Sequence, residues 1–120
     1  MADEQFVSLS TFRRSGTPVP TVVWIAPEGD ALVVTTVADS GKVKRLRRDP
    51  RVELRPSNRR GQVADDAPVA TGVAAVVPQD ERATAALRRK YGLQYRVITG
   101  LERLVAAGRR ERVILRIMAA

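Results

Sequence analysis

The chain contains no cysteine and no histidine. Disulfides, thiolate metal sites and thiol nucleophiles are therefore excluded. So is the imidazole that most often serves as general base. Ser8, Ser10 and Ser40 have nothing of that kind to activate them, which argues against hydrolytic catalysis. Aromatic residues make up only 4% of the chain. Single-strand nucleic-acid binders stack bases on aromatic platforms, so nucleic acid is not the expected partner. Apolar runs are short and interrupted, so no membrane span is expected. Met1-Ala2-Asp3-Glu4 is acidic and has no apolar h-region. The expectation is no signal peptide and a cytoplasmic location. Gly41-Lys42 is followed by Val43 and lacks the glycine-rich lead of a P-loop. Asp65-Asp66 is one acidic pair, read as solvated, so no metal site is expected.

Positive charge is abundant. Lys and Arg number 21 against 13 Asp and Glu, a net charge of +8, and arginine far outnumbers lysine. Such a surface attracts anions: nucleic acid, anionic lipid or a phosphorylated small molecule. An arginine-rich proteome would produce the same bias without a ligand. The length, 120 residues, suits a single domain over 1–120.

The densest charge lies in Asp39-Ser40-Gly41-Lys42-Val43-Lys44-Arg45-Leu46-Arg47-Arg48-Asp49-Pro50. Asp39 or Ser40 can cap a helix there, and Pro50 stops it. Val43 and Leu46 form one narrow apolar face. Arg47 and Arg48 suit the last turn. Lys42 sits in the first turn, where a cation is disfavoured by roughly 0.3–1 kcal/mol. An anion bound at the helix start would reverse that sign. The other reading is a solvated basic helix. On the dipole argument, removing Lys42 should cost the ligand-free fold nothing.

In chain order, Phe6–Phe12 reads as a strand and Arg13–Gly16 as a turn. Thr17–Ile25 is the next strand, with Pro18 and Pro20 placing its first half at an edge or a bulge. Pro27–Asp30 is a turn and Ala31–Val37 a third strand. After the basic helix, Arg51–Arg55 alternates strictly. Pro56–Pro68 reads as a mobile loop or lid. Val69–Val77 is an apolar strand in which Gly72 marks a bulge or close packing. Pro78-Gln79-Asp80-Glu81 opens a second helix with Ala83, Leu87 and Tyr91 inward and Gly92 as its stop. Gln94–Ala107 is a third helix and Glu111–Met118 the last strand. The order β-β-β-α-β-β-α-α-β suggests a mainly β, antiparallel barrel with packed helices.

Three segments, Ser8–Arg14, Gly16–Trp24 and Asp39–Val52, resemble the pyridoxamine phosphate oxidase-like split-barrel superfamily. The chain is most similar to its deazaflavin-dependent reductases of actinobacteria. Arg88–Leu93 resembles a later helix of that group. The resemblance implies a six-stranded antiparallel split β-barrel, a homodimer and a cofactor at the dimer interface. It implies that Lys42 holds the cofactor phosphate, that Val33, Val34, Thr35 and Thr36 line the groove, and that the strand ending at Trp24 runs beside the ring system. Many relatives carry arginine where Gly41 stands, and Lys44 or Arg45 is expected to compensate. The expected site is thus Ser40, Gly41, Lys42, Lys44 and Arg45 at the phosphate end and Trp24 at the ring end, with core or interface packing as the other role for Trp24. Tyr91 is expected in the core, and Arg59 and Arg60 in solvent.

The resemblance further implies an oxidoreductase using coenzyme F-420 for hydride transfer to a small-molecule substrate. An FMN oxidoreductase or flavin-binding protein on the same fold is the alternative, ahead of an anion or nucleic-acid binder. No motif names the substrate or a catalytic side chain.

Overall fold

The computed structural model describes residues 1, 4–92 and 111–120. The helix expected at Gln94–Ala107 lies outside them. Strand β1 (Phe6–Phe12) turns through Arg13–Thr17 into β2 (Pro18–Val23). Next come β3 (Ala26–Glu28), β4 (Ala31–Val37), helix α1 (Gly41–Arg48), β5 (Arg51–Ser57), β6 (Ala70–Pro78), α2 (Glu81–Tyr91) and β7 (Arg112–Ala119). One sheet runs in the order β2-β1-β5-β6-β7-β4-β3. Every pairing is antiparallel. β2 and β3 are its two edges, so the sheet curls without closing, as a split barrel does.

The strand count is seven where six were expected. The expected strand Thr17–Ile25 stops at Val23, and Pro27-Glu28, read as turn, belong to β3. The cause is non-local. Tyr91 Oη accepts from the Ile25 N–H at 3.0 Å and lies 3.0 Å from Ile25 O and 2.8 Å from Gln5 O, so it can donate to either. The backbone of Ile25 therefore serves α2 instead of the β1–β2 ladder. The chain turns there and starts pairing with β4, Ala26 opposite Val33. The prolines behave as their chemistry requires: Pro18 and Pro20 sit on edge strand β2, opposite Phe12 and Ser10.

Two apolar clusters hold the fold. Inside the curled sheet, Val7, Leu9, Val34, Leu54 and Leu115 pack with Val43 and Leu46 of α1. On the outer face of β4 and β7, Val33 and Ile114 pack under Ala83, Leu87 and Tyr91 of α2. β4 is thus covered on both sides. Gly72 marks close packing: a Cβ there would stand 2.8 Å from Met118 O and 2.9 Å from Ile117 Cγ2.

The stretch read as a mobile loop is partly built. Pro56 and Ser57 extend β5. The Asn58 carboxamide oxygen then accepts from Arg60 N–H at 2.9 Å and Gln62 N–H at 3.0 Å. Asn58 Nδ2 donates to Gln62 Oε1 at 2.7 Å, and Gly61 closes the turn at φ 83°. An asparagine can organise such a turn because its side chain mimics a backbone group.

Candidate functional site

Helix α1 is short, and each of its ends has a specific cap. Ser40 is the N-cap, and its Oγ accepts from Val43 N–H at a long 3.4 Å. At the other end the Asp49 N–H donates to Arg45 O at 2.8 Å. Arg51 Nη2 meets the Asp49 carboxylate at 2.7 Å, and its hydrogen bonds hold that carboxyl down at about 2. Between the caps, Val43 and Leu46 enter the core. Burying these two side chains fixes which way the basic ones project.

Three of those cations are tied to the sheet. Lys42 Nζ donates to Thr36 Oγ1 of β4 at 2.9 Å. Arg45 Nε donates to Thr11 Oγ1 of β1 at 2.7 Å. Arg48 Nη2 donates to Phe12 O at 2.6 Å. Thr11 and Thr36 are both buried, so each gives its cation a rigid anchor. Burial, and then repulsion from Arg13 and Arg48, makes the Arg45 guanidinium hold its proton less tightly than an ordinary one. Lys44 is exposed.

The expected residues do not all converge. Thr36, Ser40, Gly41, Lys42 and Arg45 meet at the start of α1, with Val34 on the same face of β4. Val33 faces α2 instead, and Thr35, on that same side by alternation, accepts from Arg112 Nε at 3.1 Å. Trp24 also lies on the α2 side. It stacks on Tyr91 with centroids 4.3 Å apart and planes 11° from parallel, and meets Phe6 edge-on at 6.4 Å. The structure therefore gives Trp24 a packing role at the corner after β2.

Lys42 also departs from expectation. Its ammonium has a partner in Thr36, so its removal takes a hydrogen bond from the ligand-free fold. Sequence reasoning missed Thr11 of β1 and Arg13 of the turn after it, which join the α1 cluster. It missed Arg112 as well, because pairing between β4 and β7 is not legible locally. A cleft of about 580 Å³ opens beside α1, with Ala38, Arg47, Val77, Gln79 and Arg112 among its walls. Among the described residues no group of three metal-ligating side chains assembles. No helix in them is long and apolar enough to cross a membrane.

The sequence profile of the family described as Pyridoxamine 5'-phosphate oxidase matches residues 1–120. No curated protein matches the chain. Among solved structures, a conserved hypothetical protein from Mycobacterium tuberculosis is 28% identical, with a TM-score of 0.68 over 97% of this chain and 73% of that one. A protein described as an F420 reductase is 18% identical, with a TM-score of 0.64 over 99% of this chain and 90% of the other. An FAD-binding protein from Mesorhizobium loti is 15% identical, with a TM-score of 0.59 over 98% and 81%. At such identities the last two are similar in fold alone.

Proposed function

The chain belongs to the pyridoxamine 5'-phosphate oxidase family, and from that premise we propose that it is an oxidoreductase using reduced coenzyme F-420 for hydride transfer to a small organic acceptor. The observation that carries this reading is the donor set at the start of α1. It comprises the Lys42 ammonium held on Thr36, the Arg45 guanidinium held on Thr11, and the Ser40 hydroxyl. The first backbone N–H groups of a helix add further donors. Two anchored cations with hydroxyl and amide donors fit a phosphate.

Bound there, the deazaflavin would supply the hydride chemistry. The chain's own part is to hold and orient. Ser40, Lys42 and Arg45 take the phosphate end, with Lys44 available from the exposed side. Arg13 and Arg48 flank Arg45 and extend the positive field, which suits a longer acidic cofactor better than compact FMN. A chain without His or Cys must rely on positioning over acid–base groups of its own. Of Val33 to Thr36, Val34 and Thr36 border the groove on the α1 side, and Trp24 meets the ring system only with the part of its indole that Tyr91 and Phe6 leave uncovered. The protein acts as a homodimer in the cytoplasm.

The test is parallel titration with coenzyme F-420 and FMN, followed by single-turnover oxidation of the reduced complex with quinone or enone acceptors. Expected are F-420 binding that weakens with salt, a change in the fluorescence of Trp24, the sole tryptophan, and acceptor-dependent oxidation. FMN binding without F-420 binding would move the protein to the alternative class, an FMN oxidoreductase or flavin-binding protein on the same fold. Binding of neither would overturn the reading.

A further inference from the structure

We infer that Gly41 and Arg45 are a coupled pair: the bare backbone at 41 lets the Arg45 guanidinium fold back over the first turn of α1 and serve there as an anion-binding group. The inference rests on the reading that the start of α1 takes the cofactor phosphate. Arg45 lies four residues after Gly41, so the two share a helix face. Helical side chains lean toward the N-terminus, which carries the guanidinium back by a turn.

The distances match that geometry. Arg45 Nη1 lies 2.9 Å from where a Cβ on Gly41 would stand. At that separation the guanidinium and a methyl group cannot both keep their places. Its Nε is engaged by buried Thr11 at 2.7 Å, which fixes the plane of the group. A guanidinium has five N–H donors, so four remain for other partners. Among the described residues no carboxylate lies within ion-pair distance of Arg45, although Asp49, Glu53, Glu28 and Asp80 each pair with another arginine. Its charged neighbours are Arg13 and Arg48. An anion would relieve that crowding, where a further cation would add to it.

Gly41 is not needed for backbone reasons, since its φ is not positive. Alanine is the better helix residue. Any cost of a side chain at 41 must therefore come through Arg45, and this separates the proposal from a structural role.

The experiment measures F-420 and FMN affinity by calorimetry, and ligand-free melting temperature, for wild type, Lys42→Ala, Gly41→Ala, Arg45→Gln and the double variant. Gly41→Ala is expected to keep or raise the ligand-free melting temperature yet weaken cofactor binding about tenfold, the size of one charge-assisted hydrogen bond. Arg45→Gln should weaken binding at least as much, and adding Gly41→Ala to it should change nothing further. Unaltered affinity in either single variant, or losses that multiply in the double variant, would overturn the pairing. If Lys42→Ala still loses affinity in that case, the phosphate site itself stands. If wild type binds neither cofactor, the reading of the site falls and the inference with it.

Discussion

At Lys42 two opposing effects nearly cancel. Its cation sits in the first turn of α1, unfavourably by roughly 0.3–1 kcal/mol, while its hydrogen bond to Thr36 contributes about 0.5–1.5 kcal/mol. Lys42→Ala should therefore shift ligand-free stability by less than about 1 kcal/mol in denaturant unfolding, and lower cofactor affinity by about 1.5–3 kcal/mol in titration. A large loss of ligand-free stability would make the lysine structural. Tyr91 is the converse case. Tyr91→Phe keeps the stack on Trp24 but leaves the buried Ile25 N–H without its acceptor. The expected cost is about 1–3 kcal/mol. Burial raises the Tyr91 pKa above its ordinary 10.0, so the folded state holds this proton more tightly than the unfolded one. That contribution is complete below pH 10 and disappears as pH climbs through the raised value. Wild type should thus lose stability above pH 10 faster than Tyr91→Phe, as read from unfolding curves at several pH values. The α1 residues of the candidate site were legible in the sequence because they lie within a few positions of one another. Thr11 and Arg13 were not, because they arrive from the end of β1 and the turn after it, about thirty residues earlier, through pairing that no local pattern encodes.

Elements show the same division between local and distant causes. β1 and β4 keep the bounds expected from their β-branched and alternating residues. α1 starts at Ser40, one of the two caps expected for it, and α2 starts within the stretch expected to open it, with Asp80 as its cap. The misreading of Thr17–Ile25 arose where a run of β-formers continues past the point at which Tyr91, 66 residues away, takes the backbone of Ile25. The third expected helix lies outside the described residues. The two N-caps differ in strength. Asp80 Oδ1 accepts from Ala83 N–H at 2.7 Å, while Asp80 Oδ2 meets Arg116 of β7 at 3.2 Å. The Ser40 cap bond is 3.4 Å long. Asp80→Ala should cost about 1–2 kcal/mol and Ser40→Ala only about 0.5 kcal/mol. Asp80→Asn should recover most of the cap but not the ion pair. Thermal unfolding of the three variants checks the order, and equal losses for Asp80→Ala and Ser40→Ala would refute it.

In the whole molecule, α2 covers the outer face of the sheet around β4 and one end of β7, and the rest of that face is covered by neither α1 nor α2. On it, Val73 and Met118 stand opposite each other on β6 and β7, 44% and 46% exposed. Arg51, Glu53 and Arg55 alternate with the core residues of β5, and Pro18, Pro20 and Val22 do so along β2. Val22, Val73 and Met118 are the exposed large apolar residues of this face, and Glu53 and Arg55 beside them pair at 3.7 Å. A homodimer that packs this face against its copy is therefore expected. Replacing Val73 and Met118 together by glutamate should give a folded monomer in sedimentation at micromolar concentration, with an unchanged circular dichroism spectrum. A wild-type monomer there would remove the dimer, and an undiminished mutant dimer would move its interface elsewhere. Salt gives an independent check. Each chain carries a net charge of +8, so two copies repel at long range, and screening shortens that reach from about 30 Å at 0.01 M to about 10 Å at 0.1 M ionic strength. Self-association through an apolar face should tighten as salt is added. Binding of an anionic cofactor to the cations of α1 should loosen over the same range, because screening weakens attraction as it weakens repulsion. Dimerisation that weakens with salt would show that paired charges, and not the apolar contacts of Val73 and Met118, hold the interface.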